Sequence, residues 1–112
     1  MDKLIERGLL FDFYGDLLTP HQQKIYSEAV FNDLSLQELS DEEGISRQGI
    51  HDLIKRCDKQ LVMYEDTLQL ISKFNSIKAE VNSIESLLNS NDIDAKLKAE
   101  IDIRLKQIIR EL

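Results

Sequence analysis

The chain has 112 residues, 42% hydrophobic and 6% aromatic, with no tryptophan, so we expect one domain with a core of leucine and isoleucine. The single cysteine, Cys57, excludes an internal disulfide bond and favours a reducing, cytoplasmic location; residues 1–3 do not resemble a signal peptide, and no apolar run is long enough to span a membrane. The formal net charge of −7 argues against indiscriminate nucleic-acid binding, because phosphate contacts usually dominate such affinity.

The chain is predicted to be all-α. Glycine and proline, which interrupt helices, do not occur beyond Gly49. Residues 2–18 form the first predicted helix, and Gly15 is a candidate for its end; the aromatic residues 11, 13 and 14 in it are expected to pack in the core, with a partner-binding surface as the alternative. Thr19 and Pro20 then begin a second helix, which runs to about Phe31.

The stretch from Ser35 to Lys59 is predicted to be a helix-turn-helix. Ser35 is a good N-cap for its first helix, with Glu38 completing a capping box. Gly44 follows that helix, where a left-handed residue is favourable. Ser46 then caps a second helix, residues 46–60, which is the candidate recognition helix.

One face of this second helix carries side chains suited to nucleic acid. Arg47 and Gln48 can read guanine and adenine, and Lys55 can contact a phosphate. The helix has a net charge of +2 within an acidic protein. The alternative is an ordinary solvated face, and Asp52 in its middle favours that alternative. The predicted nucleic-acid-binding residues are Arg47, Gln48, His51, Lys55, Arg56 and Lys59.

Residues 61–112 are predicted to be a long helical hairpin and a dimerisation arm, following a helix-turn-helix bundle over residues 1–60. Heptad-like apolar stripes predict a helix over 61–88, and the final helix runs from about Asp92 to Leu112. The apolar surface exceeds what two facing helices would bury, so we expect a homodimer; a partly ordered tail is the alternative. The predicted interface residues are Phe74, Ile77, Val81, Ile84, Leu88, Leu97, Ile101, Leu105 and Ile108.

No catalytic, metal or cofactor site is predicted. Cys57 lies on an apolar helix face and is expected to be a core residue. His21 and His51 have no further ligands at metal-binding spacing. Neither a nucleophile with a base nor a glycine-rich phosphate loop occurs at a meaningful spacing, so we do not expect an enzyme.

Several segments resemble known bacterial families. The segments LLTP, LQEL, GISR and IKR resemble the promoter-reading C-terminal domain of sigma factors. More closely, LFDFYGDLLTPHQQ and SRQGIHDLIKRCDKQLVMYEDTLQLISKF are similar to the YlxM family, over about residues 9–74. That resemblance implies a regulator that acts with the signal recognition particle. The resemblance to sigma factors implies base reading by Arg47, Gln48 and His51, although Gly49, His51 and Asp52 depart from the usual pattern.

Two functions follow from these observations. The first is a regulatory protein that binds DNA through helix 46–60. The second is a protein-interaction module that alters the GTPase or RNA of the signal recognition particle without binding DNA. The acidic charge favours the second, and no membrane insertion is expected for either.

Overall fold

The computed structural model describes residues 2–112, and those residues are helical with no strand, which confirms the predicted all-α class. A short 3-10 turn, Gly15–Leu17, follows the first helix. The α-helices are α1 Lys3–Tyr14, α2 Pro20–Val30, α3 Leu36–Glu43, α4 Arg47–Leu68, α5 Leu70–Ser90 and α6 Ala95–Arg110. The helix predicted over 2–18 therefore ends earlier, at Tyr14, and the last helix begins at Ala95 rather than near Asp92.

The predicted helix starts are confirmed by side-chain caps. The Thr19 hydroxyl accepts a hydrogen bond from the Gln22 N–H, and the Gln22 side chain accepts one from the Thr19 N–H. Ser35 and Glu38 form the same reciprocal capping box at the start of α3. These contacts satisfy N–H groups that have no partner within the helix.

The first compact unit ends at Ile71 and is built on two clusters of buried side chains. Residue 60, the predicted domain boundary, lies inside α4, so the whole of that helix belongs to this unit. One cluster joins α1, α2, α4 and the first turn of α5, and it contains Leu10, Tyr14, Leu18, Tyr26, Cys57, Leu61 and Ile71. The other joins α2, α3 and α4 through Ile25, Leu39 and Ile50, each fully buried.

Aromatic side chains pack between α1 and α2, as expected from the sequence. The Phe11 ring stacks on Tyr26 with centroids 5.6 Å apart, and Phe31 lies 5.4 Å from Phe11. Tyr14 is 1% exposed and contacts the Tyr64 ring on α4. These rings fill the interior that α1 shares with α2 and α4.

A polar contact fixes α1 and α2 against α4. The Arg7 guanidinium donates two hydrogen bonds to Asp58, at 3.1 and 2.5 Å. The Tyr26 hydroxyl, on α2, donates to the same carboxylate at 2.6 Å. Burial raises the pKa of Tyr26, and the hydrogen bond to Asp58 raises it further. Asp58 therefore accepts from two neighbouring helices at once.

The helix predicted over 61–88 is interrupted at Gln69, which corrects that prediction. Gln69 adopts a left-handed conformation with φ 54°, ending α4 at Leu68, and α5 begins at Leu70. The Tyr14 hydroxyl donates to the Glu65 carboxylate and accepts from the Leu70 N–H at 3.1 Å. Glu65 in turn accepts from the Ile71 N–H at 3.0 Å. Side chains from α1 and α4 thus cap the first turn of α5.

The second compact unit comprises residues 72–112. It contains the remainder of α5 and α6, joined by a short turn that ends at Asp94, the N-cap of α6. Val81, Leu88 and Leu105 are buried between the two helices, and half-buried isoleucines surround them. This core is small and purely aliphatic.

Candidate nucleic-acid interface

The turn between α3 and α4 has the predicted geometry. Gly44 follows α3 with φ 68° and ψ 28°, a left-handed conformation that costs other residues about 1–2 kcal/mol. Ser46 then caps α4, because its hydroxyl accepts a hydrogen bond from the Gly49 N–H at 3.0 Å. Leu39 and Ile50 are fully buried on either side of the turn. The start of α4 is therefore fixed by a cap and by the core.

The structure gives a physical reason for a glycine at position 49. A Cβ atom at this position would lie 2.7 Å from Ile45 Cγ2 and 3.2 Å from the Ser46 hydroxyl. Real Cβ atoms essentially never approach another heavy atom within 3.0 Å, so the contact with Ile45 would force a shift. Glycine lets Ile45 pack directly against the first turn of α4.

The structure brings three of the predicted reading residues together at the start of α4. Arg47, Gln48 and His51 are exposed and line an open recess with Leu36 and Ser46. This recess faces solvent from the N-terminal ends of both α3 and α4. A helix-turn-helix presents these ends to the major groove and to the flanking phosphates.

The remaining predicted contacts lie further along the same helix. Lys55, Arg56 and Lys59 are all exposed but do not line the recess. At 1.5 Å per residue, Lys59 is roughly 18 Å along the axis from Arg47. Such a spacing suits contacts to the backbone on the flanks of a site rather than to its bases.

Sequence reasoning missed a hydrogen bond at the centre of this face. The Gln48 amide donates to Asp52 Oδ1 at 2.9 Å, and His51 Nδ1 lies 3.9 Å from the same oxygen. Glutamine and aspartate four residues apart on a helix are neighbours, so this spacing could have indicated the contact. Asp52 thus engages one of the side chains predicted to read a base.

The charge that α4 exposes on this face is more positive than the net charge of residues 46–60, because one of the two acidic residues is paired with another helix. Asp58 is one of two acidic residues within 46–60, yet its carboxylate pairs with Arg7 on α1. The hydrogen bond to Asp58 also raises the pKa of Arg7, so the guanidinium stays protonated. Asp52 is consequently the acidic residue of 46–60 whose charge offsets that of the exposed residues Arg47, Lys55, Arg56 and Lys59.

The rest of the first unit is strongly acidic. Residues 2–45 contain three basic and ten acidic side chains. Carboxylate oxygens of Glu28, Glu42 and Glu43 lie within 4.8 Å of one another. The Lys24 ammonium is 2.9 Å from Glu43, and its hydrogen bond lowers the pKa of that carboxyl. The basic face of α4 therefore belongs to a unit whose other helices carry a net negative charge.

The predicted dimer-interface residues divide into two groups. Val81, Leu88 and Leu105 are buried inside the hairpin of a single chain, with Ile77 and Ile101 half-buried around them. These five serve the hairpin's own core, because α5 and α6 use the centre of their apolar stripes to pack on each other. Phe74 is half-buried, and its ring carries the Lys78 ammonium 5.7 Å from the centroid. Ile84, Leu97 and Ile108 are exposed.

Cys57 is fully buried, which confirms its predicted place in the core. Burial raises the pKa of its thiol to about 11. A thiol with that pKa stays protonated near neutral pH and is a poor nucleophile. His21, the other residue considered as a ligand, lies 3.5 Å from Glu43.

Known proteins match this sequence over almost the whole chain. The sequence model of the family UPF0122, described as "Putative helix-turn-helix protein, YlxM / p13 like", matches residues 1–101. The UPF0122 protein CPE1714 of Clostridium perfringens is 38% identical over 110 residues, covering 97% of this chain and 98% of that protein. A UPF0122 protein of Acetivibrio thermocellus is 39% identical over 115 residues, with the same coverage.

A more distant relative, UPF0122 protein BcerKBAB4_3669 of Bacillus mycoides, is 33% identical over 112 residues and covers the whole chain. No solved structure matches the chain. Within the described residues, no helix is long and apolar enough to cross a membrane. The chain therefore belongs to the UPF0122 family of YlxM-like helix-turn-helix proteins.

Proposed function

We propose that this UPF0122 protein is a non-enzymatic regulator that binds duplex DNA through the N-terminal half of α4. The observation that supports the proposal is the exposure of Arg47, Gln48 and His51 in one recess on a fixed helix-turn-helix. Arg47 and His51 would face base edges in the major groove. Lys55, Arg56 and Lys59 would contact phosphates further along.

The charge distribution predicts a modest affinity. The phosphate contacts come from α4 alone, and the acidic side chains of α1 to α3 repel the rest of the duplex. Each phosphate contact contributes a slope of roughly −0.9 to the dependence of log affinity on log salt. With three such contacts, the slope would be about −3, far shallower than for strongly basic DNA-binding proteins.

Fluorescence anisotropy across a salt series tests the proposal. The probes are random duplex DNA, DNA from upstream of the protein's own operon, and the RNA of the signal recognition particle. Joint replacement of Arg47 and Lys55 by alanine should weaken DNA binding and flatten the salt slope by about one, because Lys55 is one of the three proposed phosphate contacts. Joint replacement of Lys96 and Lys98, which lie on α6, removes the same charge and should leave binding unchanged. Equal losses in both variants, or no DNA binding at low salt, would refute the proposal.

The second candidate is a protein-interaction module of the signal recognition particle pathway, as the resemblance to the YlxM family implies. The observation in its favour is the charge of the first unit, where residues 2–71 carry seven basic and fourteen acidic side chains. Such a surface suits a basic protein partner better than a phosphate backbone. Stimulation of the particle's GTPase by a protein with no DNA affinity would favour this candidate.

We also propose that two copies associate through the second unit. By helix geometry, Ile84 on α5 and Leu97 and Ile108 on α6 lie on the same side of the hairpin. All three are exposed, as is Leu87 beside them. Residues 72–112 carry seven basic and seven acidic side chains, so two copies of this unit meet without net repulsion. A two-fold dimer of this kind would set the spacing of two DNA half-sites.

Sedimentation equilibrium tests this association with a matched pair of variants. Leu97→Glu places a charge on the proposed interface and should yield a monomer. Ile103→Glu makes the same kind of change on α6, at a residue that is 68% exposed and lies roughly 160° around the helix from Leu105. That variant should keep the oligomeric state of the wild type. A monomeric wild-type protein would refute the dimer.

A further inference from the structure

We infer that Asp52 is a specificity-determining residue that selects a cytosine in the DNA site. The inference rests on the DNA-binding function proposed above and names what the centre of the interface reads. It starts from the hydrogen bond between the Gln48 amide and Asp52 Oδ1, and from the exposure of the Asp52 side chain.

The contact fixes which atoms the face presents to a base. A carboxylate only accepts hydrogen bonds, so the Gln48 nitrogen must be the atom that points to Asp52. The amide plane then runs along the helix, and Gln48 Oε1 is left as an acceptor. Reading adenine by a glutamine needs donor and acceptor side by side, and here the donor is already engaged. Gln48 therefore orients Asp52 rather than reading adenine.

Asp52 itself offers an acceptor at the middle of the reading face. Its side chain is 55% exposed, and within the described residues Oδ2 has no hydrogen-bond partner. In the major groove, guanine and thymine present acceptors at O6, N7 and O4, which repel a carboxylate. Adenine presents an N6 donor, but its N7 acceptor lies beside it. Cytosine presents the N4 donor without a neighbouring acceptor, and it is the partner that aspartate recognises.

The same carboxylate lowers the overall affinity. Asp52 shares the exposed face of α4 with Lys55, Arg56 and Lys59, so it partly cancels their attraction for phosphates. A residue that served only to hold Gln48 could be asparagine, whose side-chain oxygen accepts the same hydrogen bond, although more weakly than a carboxylate. Asp52 thus weakens binding to every DNA sequence, and it discriminates between bases at one position.

Selection from a duplex pool with a randomised central segment, followed by anisotropy on the enriched sites, tests the inference. The full-length wild type should enrich cytosine at one position and bind it roughly tenfold more tightly than the thymine-substituted duplex. Asp52→Asn should bind more tightly overall and lose that preference, or replace it by adenine. Asp66→Asn removes the same charge further along α4 and should keep the cytosine preference.

The outcomes separate this inference from the function on which it rests. An unchanged base preference in Asp52→Asn, or a wild type that binds without preferring cytosine, overturns the role of Asp52 while DNA binding stands. A wild type that binds no duplex at low salt overturns the proposed function, and the role of Asp52 with it. Circular dichroism of each variant checks that the exposed substitutions leave the helices intact.

Discussion

Replacement of Tyr14 by phenylalanine should destabilise the protein by about 2 kcal/mol. The ring stays in place, so no cavity forms, but the hydroxyl is lost from a site that is 1% exposed. That hydroxyl donates to Glu65 and accepts from the Leu70 N–H. A hydrogen bond to a charged group contributes about 1.5–3 kcal/mol, and the unpaired Leu70 N–H adds to the loss.

Urea denaturation followed by circular dichroism measures this change, and hydrogen exchange of the Leu70 and Ile71 amides localises it. Both amides should exchange faster in Tyr14→Phe, because the start of α5 loses its cap. Tyr64→Phe is the control: its ring packs 6.1 Å from that of Tyr14, and its hydroxyl has no hydrogen bond within the described residues. A Tyr14→Phe protein as stable as Tyr64→Phe, with unchanged exchange at Leu70, would show that the hydroxyl does not hold the helix break.

Three further results are expected from the same structure. Gly44→Ala should lower the melting temperature, because a left-handed residue other than glycine costs about 1–2 kcal/mol, whereas Gly8→Ala in the interior of α1 should raise it. The free energy of unfolding should fall as the pH rises from about 8.5 towards 11, because the Cys57 thiol ionises in the unfolded chain at a pH where the folded chain still holds its proton. Asp58→Asn should destabilise the protein by about 1.5–3 kcal/mol, because Arg7 and Tyr26 lose a charged hydrogen-bond acceptor.

Each of these expectations has its own control. Stability that is flat between pH 8 and 11, or that changes equally in Cys57→Ala, would contradict the role of the thiol. Asp66→Asn is exposed on the same helix as Asp58 and should change the free energy of unfolding by less than about 0.5 kcal/mol. Equal melting temperatures for the two glycine variants would show that the conformation at Gly44 is not strained for alanine.

The local pattern of the sequence was sufficient to predict most of the first unit. Caps at Thr19, Ser35 and Ser46 and the glycine at 44 act over three or four residues, so their chemistry can be read directly from the chain. Burial of Cys57 followed from its place on an apolar stripe. These features depend on residues that are close in sequence, and the folded protein contains them as predicted.

Apart from the contact between Gln48 and Asp52, the features that sequence reasoning missed depend on residues far apart in the chain. No glycine or proline near Gln69 predicts a helix end, and the contacts at this end involve Glu65 together with the hydroxyl of Tyr14, fifty-five residues before Gln69. The pairing of Asp58 with Arg7 likewise joins two helices. In the second unit, an apolar stripe shows that a face is buried, but the stripe cannot distinguish a partner helix in the same chain from one in another copy.

The interruption at Gln69 also bears on how the chain folds during synthesis. Tyr14 leaves the ribosome long before Leu70, so the group that caps α5 is already present when that helix begins to form. A peptide covering residues 47–90 lacks Tyr14 and contains no glycine or proline beyond Gly49. We expect such a fragment to form one uninterrupted helix where the complete chain forms two. The end of α4 is therefore a property of the tertiary structure, and we expect it to be absent from the isolated segment.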